Sequence, residues 1–246
     1  MNNYFSFKQF TVWQDKTAMK VGTDGVLIGT LAANPHYSSS PSISPKNILD
    51  IGTGTSLVAL ILAQRFANAN SILGIDIDPD ATAQAQENFN NSPWHNRLSA
   101  SCIDVVSFLS NTPFDLIVCN PPYFNNSLKS PDNQRAIARH TVSLDYLSLA
   151  LSAERLLATD GLFVVILPTD SFNSFESLAL EAGLYCSAMT NVFPTPEKPA
   201  KRIVAEFSKA NPNTAKKIYY LTIEESRHVY TLDFKLLTSD FYLERK

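Results

Sequence analysis

Asn120, Pro121, Pro122 and Tyr123 follow the apolar run DLIVC (115–119), a residue set that rarely ends a buried strand without a purpose. The chemistry it suits is alkylation of an amine conjugated to a ring or a carbonyl. The lone pair of such a nitrogen is delocalised, which makes it a poor nucleophile. Two acceptors set on its two hydrogens draw the nitrogen toward pyramidal geometry and aim the lone pair at an electrophilic carbon. The side-chain oxygen of Asn120 is one acceptor and the backbone carbonyl of Pro121 is the other. The prolines fix φ and hold both in place. Tyr123 offers a flat face for a planar substrate to stack on. Positive charge leaves sulfur during transfer from a sulfonium, and the extra proton on nitrogen departs to water afterwards, so no strong general base is required. Asn-Pro is also a common turn former, and that plainer reading holds for the dipeptide taken alone.

The partner chemistry lies upstream in LDIGTGTSLVAL (49–60), an acid, a glycine-rich turn and then a helix-like run. A dinucleotide turn wants Gly-x-Gly-x-x-Gly with phosphate on the helix N-terminus. Gly52 and Gly54 fit, but the third position is Leu57, and Asp50 places a negative charge before the turn. That charge repels pyrophosphate and suits a cation. S-adenosylmethionine carries a sulfonium and an ammonium and no phosphate. Asp76, 22 residues after Gly54, stands where an acid can accept from a ribose diol. Ile77 can cover one face of an adenine, and Asp104 can accept from the adenine amine. A lone aspartate of this kind is usually a turn or helix cap. Asp50, Asp76 and Asp104 in series, each closing an apolar run at the edge where open α/β sheets bind ligands, favour the cofactor.

These residues need elements to position them. Short β-branched runs recur at 47–52, 72–78, 98–104, 114–120 and 161–168, separated by helix-like segments at 57–67, 79–91 and 144–158. That alternation predicts an α/β fold, a parallel sheet with helices on both faces. The runs are apolar throughout, as strands buried on both faces should be. Residues 171–183 read as a further helix, and 184–193 with 202–209 as an antiparallel hairpin completing seven strands. In front, FKQFTVWQD and TAMKV read as a short hairpin, and TDGVLIGTLAAN as a helix capped by Thr23 or Asp24. The Ser- and Pro-rich stretch 34–46 reads as a flexible connector. The expected organisation is an N-terminal extension and linker (1–46), a core (47–210) and a C-terminal extension packing on the core (211–246), with a strand-like IYYLTI and a closing amphipathic stretch.

Composition bounds the rest. With 246 residues, 45% hydrophobic and 17% charged, the chain can bury a sizeable core and is not of the disordered type. No apolar run approaches the ~20 residues of a membrane span, and the N-terminus lacks a secretory pattern. Cys102, Cys119 and Cys186 are scattered, odd in number and read as reduced core thiols of a cytoplasmic protein. The four histidines are not spaced for a metal, so none is expected. A net charge of −3 argues against broad nucleic-acid binding but leaves room for a local basic patch. A monomer is expected.

The motif NPPY behind an acid-glycine turn resembles the amino-methyltransferases, which modify adenine N6, guanine N2, cytosine N4 or a protein glutamine amide. Within them, FKQFTVWQDKTAMKVGTDGVLIG, AQAQENFNNSPW and the aromatic continuation after NPPY resemble the bacterial tRNA (valine) adenine-37 N6-methyltransferase family, over roughly residues 5 to 245. The resemblance implies a Rossmann-like, seven-stranded S-adenosylmethionine-dependent methyltransferase fold with a short N-terminal hairpin and helix extension. It places catalysis on Asn120, Pro121, Pro122 and Tyr123, and cofactor contacts on Asp50, Gly52, Gly54, Asp76, Asp104 and Asn120. Lys20, Gly22, Thr23, Asp24 and Gly25 match the segment that in relatives lies over the methionine end of the cofactor. Ser56 departs from the pattern, because a third glycine commonly stands there; Ser suits a helix start, so a small local change is expected.

The implied substrate is a tRNA, whose target base must swing out of its loop into the pocket. Phe124 directly follows the motif and can replace lost stacking. The stretch 125–141 carries Lys129, Arg135, Arg139 and His140 with only Asp132 opposing, and Arg135 and Arg139 are four apart, on one face of a helical turn. It reads as a phosphate clamp and lid, or as a solvated loop. Lys198, Lys201 and Arg202 form a second basic group. A protein-glutamine methyltransferase acting on release factors is the nearest rival, but those enzymes carry a helical domain in front. An rRNA or other amino-group methyltransferase is a further alternative. A DNA adenine methyltransferase would need a target-recognition domain for which no room remains. An RNA-binding module without catalysis would not need both motifs intact.

Overall fold

The computed structural model describes residues 2–17, 20–40, 43–122, 144–211 and 215–243. The chain opens with strands β1 (Tyr4–Ser6) and β2 (Thr11–Trp13) and helix α1 (Thr23–Leu31). The sheet unit follows as β3 (Asn47–Ile51), α2 (Leu57–Arg65), β4 (Ser71–Asp76), α3 (Pro79–Asn90), β5 (Leu98–Cys102), β6 (Phe114–Cys119), α4 (Tyr146–Leu156), β7 (Leu157–Pro168), α5 (Thr169–Glu181), β8 (Tyr185–Phe193) and β9 (Arg202–Ser208). The tail adds β10 (Lys217–Thr222), β11 (Glu224–Ser226), β12 (Val229–Tyr230) and α6 (Leu232–Thr238).

The main sheet runs β10-β8-β9-β7-β6-β3-β4-β5. Strand β9 is antiparallel to β7 and β8, and every other pairing is parallel. The sheet therefore has eight strands rather than the expected seven. The extra strand is the IYYLTI segment, which pairs in parallel with the otherwise open edge of β8. Alternation along each strand divides the core between two faces. Ile48, Ile72, Leu116, Val118, Val164 and Ile166 point to the side covered by α1, α2, α3 and the front hairpin. Leu49, Ile51, Ile75, Ile117, Phe163 and Val165 point to the side covered by α4 and α5. This double burial is why the strands read as unbroken apolar runs.

The front segment differs from its expected pairing. The hairpin joins β1 to β2 around Phe7–Phe10, with Phe7 N–H donating to Phe10 O at 2.8 Å, and the described residues Thr17, Lys20 and Val21 take no part in it. Phe7 and Phe10 stack at 4.7 Å, and Phe7 stacks on Tyr242 of the tail at 5.8 Å. Non-local aromatic packing fixes this turn, and local pattern carries no trace of it. Helix α1 is capped by Gly22 rather than by Thr23 or Asp24, and Asp24 instead accepts from Arg202 Nε at 3.0 and 3.1 Å.

The connector is tied down at its start. Glu206 of β9, buried, accepts from Ser38 Oγ at 2.8 Å and from the N–H groups of Ala33 and Ser39 at 3.1 Å each. Of the cysteines, Cys119 is buried, Cys186 half-buried and Cys102 exposed, so Cys102 is not the core thiol it was expected to be.

Candidate active site

Strand β3 delivers its chain into a turn stapled to the neighbouring strand. Gly52 and Thr53 both donate their N–H to Ile75 O of β4, at 2.9 and 3.0 Å. Gly52 and Gly54 have φ of +70° and +52°, in the left-handed region that glycine enters without strain. Nothing lies within 4 Å of where a Cβ on Gly52 would stand, so the turn is open on that side. Ser56, at the position expected to bring only a small local change, has φ +70° and is fully buried. A left-handed non-glycine residue at a helix N-cap is strained by ~1–2 kcal/mol.

Asp50 does not face outward. It is 1% exposed, and its Oδ2 accepts from Thr53 Oγ1 at 2.8 Å. Burial pushes its carboxyl up to about 7; the Thr53 hydroxyl and the Ala59 amide pull it back, and nearby Asp76 adds to the rise. The same burial, with Asp50 and Asp76 close by, raises the Cys119 thiol. Asp76 closes β4, where Oδ2 accepts from Gly54 N–H at 3.0 Å and Oδ1 from Asp78 N–H at 3.0 Å. Ile77 beside it is 48% exposed. Asp104 lies two residues past β5, exposed, and its Oδ1 accepts from Val106 N–H at 2.9 Å.

Sheet register gathers these residues along one edge. Ile51 pairs with Ile75 and with Cys119, and Asp76 pairs with Cys102. One step further along the strands, Gly52 therefore stands between Asp76 and Asn120, with Asp104 beyond Asp76. Asn120 is half-buried, Pro121 buried and Pro122 exposed. Tyr123, Phe124, Lys129, Arg135 and Arg139 lie outside the described residues, as do His140 and Asp132.

The front segment reaches the same region by other routes. Lys20 Nζ donates to the carbonyls of Gln14 and Thr17, the latter at 2.9 Å. Gly22 and Thr23 are exposed at the start of α1. Gly25 is buried against α2, and a Cβ there would come within 2.9 Å of Leu57 Cδ2. Gly25 thus sets how closely α1 approaches the helix that follows the cofactor turn.

The family model described as the methyltransferase small domain matches residues 22–167. A protein of Phocaeicola vulgatus named tRNA1(Val) (adenine(37)-N6)-methyltransferase is 49% identical over 242 residues, 98% of each chain. One of the same name from Parabacteroides distasonis is 44% identical over 246 residues, 99% of each chain. The chain belongs to this methyltransferase family. Among solved structures, one described as a predicted O-methyltransferase from Agrobacterium tumefaciens superposes with a TM-score of 0.63 at 17% identity, covering 89% of this chain and 96% of its own, a likeness of fold.

In this methyltransferase, three buried polar side chains shape the site that motif reading passed over. Thr53 holds Asp50 inside the turn. Gln84 and Asn88 of α3, both buried, bind the front segment: Gln84 Oε1 accepts from Lys16 N–H at 3.0 Å, and Asn88 bonds both backbone groups of Trp13. The signal was present, since Ala81, Gln84, Ala85, Asn88 and Phe89 form one helical stripe, and two amides on an otherwise apolar stripe need partners. No helix among the described residues is long and apolar enough to cross a membrane.

Proposed function

We propose that this methyltransferase acts in the cytoplasm on the N6 amino group of adenosine 37 in the anticodon loop of a valine tRNA, with S-adenosylmethionine as donor. The observation that carries the reading is Asn120-Pro121-Pro122 at the end of β6, one strand from the open turn at Gly52, in a chain 49% identical to a protein named for that reaction. The donor fits the residues present. The turn is open above Gly52, carries no lysine for a phosphate, and holds a buried acid beside it. When bound, the donor supplies an electrophilic methyl on a cationic sulfur.

The chain's own residues do the rest in this reading. Asp50 orders the turn through Thr53 and supplies a negative charge beneath it. Asp76 receives the ribose hydroxyls, Ile77 covers the adenine, and Asp104 accepts from its amine. Lys20, Gly22, Thr23, Asp24 and Gly25 form the segment over the methionine end. Asn120 Oδ1 and the Pro121 carbonyl hold the two hydrogens of the substrate amine, while Tyr123 stacks on its ring. Phe124 replaces lost stacking, and Lys129, Arg135 and Arg139 meet tRNA phosphates.

The test is a labelled methyl donor incubated with the protein and either bulk tRNA or release factor, followed by nuclease mapping of the labelled nucleotide. Label at adenosine 37 of a valine tRNA is expected. Label on release factor, or on another nucleotide, overturns the reading. Asn120→Ala should retain donor binding and lower transfer by at least ~10²-fold, the loss typical of removing one preorganised polar group.

A further inference from the structure

The chain leaves β5 through Asp104 and closes one tight turn. Asp104 O accepts from Ser107 N–H at 3.1 Å and from Phe108 N–H at 2.9 Å, while Asp104 Oδ1 accepts from Val106 N–H at 2.9 Å. The carboxylate is thereby fixed on its own turn, and its Oδ2 has no protein partner among the described residues. Val105 is buried and Phe108 packs on Phe114 at 6.3 Å, which seats the body of the turn on the core. Ile103 N–H donates to Asp76 O at 2.9 Å, so the turn is registered against the end of β4. Ile77, next to Asp76, is 48% exposed, and Val106, two residues past Asp104, is 51% exposed. Two aliphatic side chains open to solvent beside a carboxylate with a free oxygen make a slot for a flat ring that carries an amine on its edge.

Three carbonyls of this turn converge on one side chain. Arg155, in the last turn of α4, donates through Nη2 to Val105 O at 3.0 Å and to Val106 O at 3.1 Å, and through Nη1 to Phe108 O. A planar fork holds several acceptors at fixed angles, which an ammonium does not. Each peptide unit is rigid, so gripping its carbonyl also aims its N–H. The unit that carries the Val105 carbonyl carries the Val106 N–H, which binds Asp104 Oδ1. The unit that carries the Val106 carbonyl carries the Ser107 N–H, which binds Asp104 O. Arg155 is exposed, so water can replace it at the carbonyls, and what it contributes is orientation more than stability. We infer that Arg155 is a positioning residue: it sets the two peptide planes that hold Asp104, and so aims the free carboxylate oxygen that selects an amine-bearing purine. The inference rests on the reading that the turn at Gly52 holds S-adenosylmethionine with its adenine beside Asp104.

The test uses two ligands, S-adenosylhomocysteine and S-inosylhomocysteine, in which a carbonyl oxygen replaces the adenine amine. Each is titrated by calorimetry into the unmutated chain, Arg155→Ala, Arg155→Lys, Asp104→Ala and the double variant Asp104→Ala with Arg155→Ala. The unmutated chain should prefer the adenosyl ligand by at least about tenfold, since the inosyl ligand turns an acceptor toward a carboxylate. Arg155→Ala should cut that preference to about threefold, through weaker adenosyl binding alone, with the urea unfolding midpoint little changed. Arg155→Lys keeps the charge without the fork and should fall between. In the Asp104→Ala background, Arg155→Ala should move neither Kd by more than about twofold, because the group it aims is gone. An undiminished preference in either Arg155 variant overturns the inference, as does a loss of affinity from Arg155→Ala that is equally large with and without Asp104. An unmutated chain that binds both ligands equally shows that Asp104 does not meet the amine, which sinks the inference and leaves the cofactor site standing. An unmutated chain that binds neither removes the cofactor reading and this inference with it.

Discussion

Asp50 makes the stability of this protein depend on pH in a direction opposite to the usual carboxylate. Its ordinary value is 3.8 and burial raises it to about 7 in the folded chain. Between those values the folded state holds a proton that the unfolded state has released. Stability contributed by Asp50 is therefore fully present below pH 3.8 and is lost as pH rises through about 7. A gap of about three pH units at 1.36 kcal/mol each gives roughly 4 kcal/mol over the window. Asn at this position keeps an acceptor for Thr53 Oγ1, nearly the same shape, and no titrating proton. Urea unfolding of the parent and of Asp50→Asn at pH 5, 6, 7 and 8 should show the difference in unfolding free energy between them shifting by ~2.5 kcal/mol in favour of the variant as pH rises, the part of the window above pH 5. The slope matters and the offset does not, since the amide carries a constant packing penalty of its own. Glu206 is also raised by burial but is present in both proteins and cancels. Parallel pH profiles would refute the buried-acid account. A cationic donor seated over the turn adds a second signature. It favours the ionised carboxylate, so affinity for S-adenosylmethionine relative to S-adenosylhomocysteine, which lacks the sulfonium charge, should grow from pH 6 to 8 in the parent and stay flat in Asp50→Asn.

Gly74→Ala places a Cβ 2.7 Å from Thr53 Oγ1, so it should destabilise by ~1–3 kcal/mol and weaken cofactor binding, as calorimetric titration would show; unchanged binding refutes the role given to Thr53. Ser56→Gly removes left-handed strain and, after the entropy that glycine loses on folding, should raise stability by up to ~1 kcal/mol in urea unfolding; a loss of stability would show that the serine hydroxyl outweighs the strain. Glu206→Ala leaves the Ala33 amide and the Ser38 hydroxyl without their acceptor, costing ~1–3 kcal/mol, and should open the 34–40 stretch to limited proteolysis. Arg135→Ala with Arg139→Ala should weaken tRNA binding and flatten its salt dependence without changing donor affinity; unaltered tRNA binding removes the clamp.

The central parallel strands were readable because burial on both faces leaves them mostly apolar, and Asp76 and Asn120 stand where those runs stop, whereas edge strand β5 is largely exposed. The eighth strand lay in a tail segment whose β pattern was visible but whose partner was not, since pairing with β8 is set by an open edge far away in sequence. The front hairpin was misread because strands of three residues carry too little alternation to fix a register, and Phe7, Phe10 and Tyr242 decide it through long-range stacking. Alternation along β3 puts Asp50 on the face of Ile48, under the helices, from where it reaches the turn through Thr53. The helical period marks Gln84 and Asn88 as buried in the same way. Both lessons were present in the sequence as polar residues at apolar positions, a sign of a side chain that organises backbone.

Arginine usage bears on where RNA can be met. Arg65 donates to Gly29 O and Ala32 O at 2.7 Å, and Arg97 to Phe66 O and Ala63 O at 2.7 and 2.5 Å, each stabilising a helix C-terminus where carbonyls lack partners. Arg155 reaches Val105 O at 3.0 Å and so holds the turn that follows Asp104. Arg202 pairs with Asp24. Four guanidinium groups spread along the chain thus support local structure, and burial pulls Arg65 down to about 10, the opposite of what an exposed phosphate contact would do. The positive charge that a tRNA backbone needs in a protein of net charge −3 must then come from residues without such duties. Arg135 and Arg139, downstream of the reactive motif in the sequence, are the two arginines proposed for that duty. The salt slope of tRNA binding is for that reason the measurement most sensitive to those two residues, and the affinity for the methyl donor the least.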